Sequence, residues 1–501
     1  MKISVVSLGC NKNLVDTEVM LGHLHKAGCV VVEEPEDADC LLINTCSFLT
    51  EAVEESLDRI VELAQIKGEG GPTRLVVTGC LVSRYGDEIL KEVPEVDALV
   101  PHSDLASVIE AVLGRDAEDQ GEGRGAQGGE EQDAEDQGEG RRAEGGKEQK
   151  TERRTQDAED QGAGRRAKGA EKQGGVRGAE CEEEQVLNPE SSILNSESSF
   201  PFRIRSHPEH RAYIKIGEGC SNWCAYCLIP SIRGEFASRP VASIVSEMKD
   251  LIDHGVLEAT LVAQDSGRYG QDLGEGSLPS LLRSLLTVPG DYWLRVLYVH
   301  PSRVTDELLE VIASDPRICR YLDVPFQHVS AAVLERMGRG EAPSPIDVVR
   351  RVRHAMPDVY LRTTLMTGFP GETEEDFNDL LHFIQQAGID HLGIFPYSLE
   401  EGTPAAGMKD QVPPDVARSR ADKLMEVQAG LSTQRLSRLV GQELTVLAEG
   451  FDEKGPFGRH QGQAPEVDGV VRLDEDVEAG TFVQVLITDS GVYDLKGEVI
   501  E

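Results

Sequence analysis

Apolar residues follow three successive rhythms along the 501-residue chain. Over residues 1–114, short apolar runs alternate with stretches in which apolar positions return every three to four residues. The runs are 3–8 (ISVVSL), 41–44 and 75–78, and helical spacing occupies 14–25, 50–65 and the neighbourhood of Asp87. Strand and helix in alternation predict a parallel sheet with helices packed on it. The same alternation resumes after Arg211, with strands predicted at 212–216, 259–263, 294–299, 321–325, 360–366 and 391–396, and amphipathic helices between them, for example at 244–254 and 374–387. Six such units predict a full or partial barrel of parallel strands. From Ser437 the rhythm shortens to alternating strands with Gly-rich turns (ELTVLAEG, GVVRL, TFVQVLI, YDLKGEVI), which predicts a small all-β barrel of the OB-like size class.

One segment keeps none of these rhythms. Residues 115–200 are Gly, Glu, Gln, Arg and Asp with almost no apolar residue beyond Ala, and they repeat DAEDQGEGR at Asp116 and Asp133 and DAEDQGAGR at Asp157. Such a stretch cannot bury enough surface to offset its ordering entropy. The repeat is irregular and its units have no apolar face, which excludes a solenoid. Loop closure grows only logarithmically with length, so a disordered acidic linker is tolerated here. The expected organisation is an α/β domain at 1–114, the linker at 115–200, the barrel core at 201–436 and the β module at 437–501.

Charge narrows the partners. The chain carries 50 Lys and Arg against 89 Asp and Glu, a formal net charge of −39. Phosphate binding works through Lys and Arg releasing counterions, so this balance argues against a passive nucleic-acid binder and favours a basic partner. The tail 437–501 is acidic as well, with 5 basic and 14 acidic residues. No apolar run reaches the ~18 residues of a membrane span and the first twenty residues hold no signal-peptide core. The expectation is a cytoplasmic protein with no membrane contact.

The ten cysteines are too sparse for a disulfide-stapled domain, and their spacing is what matters. GCSNWCAYC places Cys220, Cys224 and Cys227 on one tight loop after a predicted strand. Three thiolates so close can hold three corners of a cubane cluster and leave one iron open to a substrate or cofactor. A zinc knuckle is the alternative, but it calls for a fourth Cys or His nearby and the loop has none. Cys10, Cys46 and Cys80 each follow directly on a predicted strand (SLGC, INTC, VTGC), one strand–helix unit apart. Parallel strands present their C-terminal ends on one edge, so three thiols distant in sequence can meet as a second open site. Three separate buried cysteines are the competing reading. Cys29, Cys40 and Cys319 read as core residues and Cys181 as a free thiol in the linker.

Cys-x3-Cys-x2-Cys on the first strand-to-helix loop of a parallel barrel resembles the radical S-adenosylmethionine superfamily. In that superfamily the open iron chelates S-adenosylmethionine, and an electron from the cluster yields a 5′-deoxyadenosyl radical. The two thiol sets and the β module together resemble the methylthiotransferases. The motifs are SLGCNKNLVDTE at 7–18, GEGCSNWCAYCLIPSIRG at 217–234, LVAQDSGRYGQD at 261–272, YLDVPFQH at 321–328, TGFPGETEEDF at 367–377 and APEVDG at 464–469, in what that family calls a TRAM domain. The GCNKNLVD start, in place of GCQMN, resembles the branch that modifies an aspartate of small-subunit ribosomal protein twelve. The acidic linker departs from the pattern of these motifs. The resemblance implies two 4Fe-4S clusters: a radical-generating one on Cys220, Cys224 and Cys227, and an auxiliary one on Cys10, Cys46 and Cys80 that carries the sulfur. It implies S-adenosylmethionine as both radical source and methyl donor, attack at the aspartate β-carbon, ribosomal protein twelve or the small subunit as partner, and an electron donor such as flavodoxin or ferredoxin.

Gln264, Asp265, His300, Gln327, His328 and Arg362 are expected at strand ends near substrate and cofactor. Gln264, Asp265 and Arg362 are the cofactor-binding candidates, against a structural reading as rim hydrogen bonds. Gly368, Gly371 and Glu372 are expected to shape a turn. The first rival function is a tRNA adenosine methylthiotransferase, which calls for a basic tail grip, whereas an acidic tail suits a basic ribosomal protein. An iron–sulfur scaffold and a sulfur-independent radical methylase are the other rivals.

Overall fold

The structure, a computed structural model, describes residues 1–68, 71–102, 104–114, 185–186, 203–206, 208–274 and 276–500. The predicted linker and Cys181 thus lie outside the described residues, except for Gln185–Val186, which pairs antiparallel with Ser7 and Val6.

The N-terminal sheet runs Val30–Val31, Lys2–Ser7, Cys40–Thr45, Arg74–Gly79, Ala98–Pro101, all parallel. Its central strands are buried on both faces, which is why they read as continuous apolar runs. Ile3, Val5, Leu42 and Val76 pack with Leu14, Leu21, Leu24 and Val108 on one side. Val6, Leu41, Ile43 and Val77 pack with Ile60 and Leu63 on the other. Cys29, Cys40 and Cys319 are buried as the sequence reading expects.

The central domain has the six predicted strands in two parallel runs. Arg211–Lys215, Glu258–Val262 and Trp293–Val296 form one, and Tyr321–Asp323, Tyr360–Thr367 and His391–Pro396 the other. The bridge Leu294–Ile318 and the bond from Val299 N to Asp323 O (2.9 Å) join them into a partial barrel. Alternate residues (Ala259, Leu261, Leu294, Leu322, Leu361, Leu365) pack under the outer helices. The helix Glu374–Ala387 shows why these segments start where they do: Thr373 and Asp376 form a capping box and Glu374, Glu375 and Asp376 meet the positive helix end. No helix among the described residues is long and apolar enough to cross a membrane.

The tail is a closed barrel of Glu443–Asp452, Gly455–His460, Val471–Leu473, Leu495–Val499 and Phe482–Ser490 around Val446, Val471, Val485, Ile487 and Leu495. Gly455–His460 (GPFGRH) is not among the four strands that the sequence pattern predicts for the tail. It is a strand because closing the barrel pairs Phe457 with Gly450 and Arg472.

The tail also fills the inner face of the central barrel near the strand starts. Arg459 and Arg295 share Glu258, at 2.5 and 2.6 Å, and all three are buried. Arg295 donates to Gln461 O (2.8 Å) and His391 Nε2 lies 2.6 Å from Gly462 O. Tyr321 and Arg362 both bond Asp468, each at 2.7 Å. Arg211 pairs with Glu466 at 2.8 Å.

Candidate metal centres at the barrel mouth

The triplet loop is set by its own backbone. Gly219 takes φ 76°, and a Cβ there would lie 2.6 Å from Gly234 O, so only glycine lets Cys220 N reach Gly234 O at 3.0 Å. Cys227 N donates to Cys224 O (3.0 Å) and Ala225 N to Met337 O (2.9 Å), while Trp223 turns through φ 49°. These bonds hold Cys220, Cys224 and Cys227 on one tight wrap at the mouth. Burial pushes the Cys220 thiol up and the Cys227 thiol up to about 12. Cationic character nearby offsets this in part: the Arg339 guanidinium points Nη1 at Cys224 Sγ, 3.6 Å away. A loop that offers three thiols and no fourth ligand suits a group that leaves one corner open.

Cys10, Cys46 and Cys80 each stand at the C-terminal end of a strand, and those three strands are neighbours in the order Lys2–Ser7, Cys40–Thr45, Arg74–Gly79. Cys10 caps the helix Asn11–Lys26 and Cys80 opens Cys80–Tyr85. The strand ends approach closely: a Cβ on Gly9 (φ 93°) would lie 2.9 Å from Cys46 Sγ. Ser56 Oγ accepts from Cys46 N (3.2 Å) and donates to Cys46 O (3.0 Å), fixing the loop that carries Cys46. Cys10 keeps solvent access although protein crowds it. Burial opposes its ionisation, but Lys12 and Arg233 prevail and hold the thiol below its ordinary range. Among the described residues no three His, Cys, Asp or Glu side chains converge tightly enough for a single metal ion.

Arg233 joins the N-terminal domain to the barrel mouth. It ends the short helix Ile229–Arg233 that follows the triplet, yet its Nε donates to Cys80 Sγ at 3.2 Å. Nη2 donates to Asn13 Oδ1 (3.0 Å), and Nη1 to Asp16 Oδ2 (3.1 Å) and Glu218 Oε1 (2.9 Å). Lys215 bonds both carboxylates, and Gln264 Nε2 donates to Glu218 Oε1 at 3.0 Å. Two further ties hold the N-terminal domain across the mouth. Buried Arg203 pairs with Glu18 (3.3 Å) and Glu247 (3.1 Å), and Glu400 accepts from Thr50 N (3.0 Å) and Arg84 (3.1 Å).

Gln264 and Asp265 stand at the mouth. Buried Asp265 accepts from Asn222 Nδ2 (2.9 Å), inside the triplet loop, and pairs with Arg303 (2.7 Å); Gln264 Oε1 is buried without a hydrogen-bond partner. His300 is nearby, its N donating to Asp265 Oδ1 at 3.3 Å, and burial next to Arg339 and Arg303 pulls its pKa down to about 3. Gln327 takes φ 68° at the rim. His328 turns toward Glu372 (3.4 Å), which also accepts from Gly368 N (2.9 Å) and pairs with Arg420 (2.6 Å), closing the GFPGET turn. The structure does not bring Arg362 to the mouth. It is the third residue of an eight-residue strand and pairs with Asp468 of the tail, because the tail supplies a carboxylate that the strand pattern alone could not reveal. Sequence reasoning missed Arg233, Asp16, Glu218 and Arg339. Arg233 lies inside a quoted motif, but nothing in the spacing told that its guanidinium reaches a thiol 153 positions away.

Comparison with known proteins covers the whole chain. The family described as Uncharacterized protein family UPF0004 matches residues 2–101, the Radical SAM superfamily 214–384 and the TRAM domain 440–500. The Ribosomal protein uS12 methylthiotransferase RimO of Geobacter sulfurreducens is 40% identical over 100% of this chain and 98% of its own length. Its namesake in Desulfitobacterium hafniense is 38% identical over 100% and 99%. Among solved structures, the radical S-adenosylmethionine methyltransferase TsrM of Kitasatospora setae aligns over 88% of this chain and 75% of its own, at 14% identity and a TM-score of 0.48.

Proposed function

The chain belongs to the ribosomal protein uS12 methylthiotransferase family, and from that premise we propose that it inserts a methylthio group at the β-carbon of an aspartate in ribosomal protein uS12. The observation that supports the reading is the reach of Arg233, six residues after Cys227, to Cys80 Sγ at the end of a strand whose sheet neighbours lead into Cys46 and Cys10. When bound, a 4Fe-4S cluster on Cys220, Cys224 and Cys227 supplies radical chemistry with S-adenosylmethionine, and a second on Cys10, Cys46 and Cys80 supplies the sulfur.

The chain's own residues divide the remaining work. Asp265 fixes the triplet loop through Asn222 and, with Gln264, lines the cofactor side of the mouth. Arg362 acts from deeper in the barrel, holding the tail through Asp468. The N-terminal domain, tied on by the pairs Arg203–Glu18 and Glu400–Thr50, covers the mouth and limits water at the reacting centre. S-adenosylmethionine also serves as methyl donor, and a small reductant such as flavodoxin or ferredoxin supplies electrons. The acidic tail draws in a basic protein substrate.

The test is the intact mass of small-subunit ribosomal proteins from cells with and without this gene, alongside the nucleosides of their tRNA. Loss of one methylthio mass from uS12 with tRNA unchanged is the expected result. Loss of a methylthiolated adenosine with uS12 unchanged would overturn the substrate assignment in favour of tRNA.

A further inference from the structure

Arg233 is pinned on every side. Its side chain is 2% exposed, Nη1 faces the carboxylates of Asp16 and Glu218, and Nη2 faces the amide oxygen of Asn13. A guanidinium is a rigid planar fork, so fixing both terminal nitrogens fixes the direction of the third. The Nε edge is thereby aimed at Cys80 Sγ, 3.2 Å away. A purely structural ion pair between two domains needs Asp16 and Glu218 only; it does not need a donor directed at a thiol. At the triplet the corresponding contact is looser, with Arg339 3.6 Å from Cys224 Sγ.

Hydrogen bonds and positive charge at a ligating sulfur favour the reduced, more negative form of an iron–sulfur group. We propose that Arg233 is a positioning residue of the Cys10, Cys46 and Cys80 site: its Nε–H holds the Cys80 sulfur in place and raises the reduction potential of the cluster bound there. This inference rests on the reading that those three thiols hold a cluster. It also gives the two sites different electronics by construction, since the charged donor lies closer to the distal trio than to the triplet.

The experiment isolates the distal site in the full chain by replacing the triplet (C220A, C224A, C227A) and reconstituting with iron and sulfide. Iron content reports whether a cluster is held. An electron paramagnetic resonance titration then gives its midpoint potential with Arg233 intact and in Arg233→Lys. Lysine keeps the ion pair with Asp16 and Glu218 but cannot also present the Nε donor. The expected result is a cluster in both proteins with a lower potential in the lysine variant. A second measurement needs no variant at Arg233. In the same triplet background labelled with 15N-arginine, the reduced cluster is expected to show a nitrogen hyperfine coupling. A bound cluster with unchanged potential in Arg233→Lys, or without the arginine coupling, overturns the inference while leaving the second cluster standing. No bound iron in the triplet background overturns the second cluster itself, and the inference with it.

Discussion

The inner face of the barrel carries buried charge in two regions, and the two are built differently. Near the strand starts, cation and carboxylate are matched across the barrel–tail boundary. Glu258 takes Arg295 and Arg459, Asp468 takes Arg362 and Tyr321, and Glu466 takes Arg211. Burial opposes ionisation of Glu258, but Arg295 and Arg459 prevail and hold its carboxyl below the usual range. At the mouth the cations face sulfur as well as carboxylate: Arg233 donates to Cys80 and Arg339 to Cys224. One region pairs its charges within the chain and reads as structure. The other keeps donors aimed at atoms that can still take up a ligand, and reads as chemistry.

The sharpest break between the regions is loss of function without loss of fold. Cys224→Ala is expected to drop formation of 5′-deoxyadenosine and of methylthiolated product below detection, while the unfolding midpoint moves little; chromatographic product assays and circular dichroism check the pair. The reverse holds near the strand starts. Glu258→Ala leaves Arg295 and Arg459 buried without their shared partner, a class of change that costs about 3–5 kcal/mol. Urea unfolding measures it, and a loss below about 1 kcal/mol would place this network with weak surface pairs.

Intermediate effects sharpen the contrast. Asp265→Asn weakens the bond with Arg303 and the hold on Asn222. It is expected to weaken S-adenosylmethionine binding about tenfold, roughly 1.4 kcal/mol, with stability nearly unchanged, as calorimetry can show. The smallest expected effect is a pH slope. Burial, with help from His391, Arg295 and Arg459, pulls His460 down to about 3. The unfolded value is about 6.5, so the folded chain binds fewer protons. The stability this gives is complete above pH about 6.5 and is lost as pH falls from there toward 3, by at most about 1.4 kcal/mol per pH unit for one proton. His460→Gln is expected to flatten the fall in unfolding free energy between pH 6.5 and 5. It does so only in part, because His300 at the mouth, also near 3, contributes with the same sign. An unchanged slope would contradict the assignment.

Much of this arrangement was legible in the sequence. Strands buried on both faces leave apolar runs that cannot be mistaken, and the six barrel strands fall within a few residues of where periodicity placed them. A cysteine straight after each of three strands announces a shared sheet edge, and the sheet order puts those ends side by side. The region near the strand starts was not legible. Glu258 and Arg459 lie 201 positions apart, and a charged residue in a strand does not say which segment will neutralise it. Arg362 looked like a rim residue for that reason. Gly455–His460 escaped because barrel closure, not local preference, makes it a strand.

The central claim is that the two thiol sets do different work at one mouth. Its most direct test is to supply reconstituted wild-type protein and Cys46→Ala with reductant, S-adenosylmethionine and uS12, and to follow 5′-deoxyadenosine and methylthiolated uS12 together. The account predicts that Cys46→Ala still cleaves S-adenosylmethionine through Cys220, Cys224 and Cys227 but makes no methylthiolated product. Methylthiolated uS12 at the wild-type level from Cys46→Ala would contradict it.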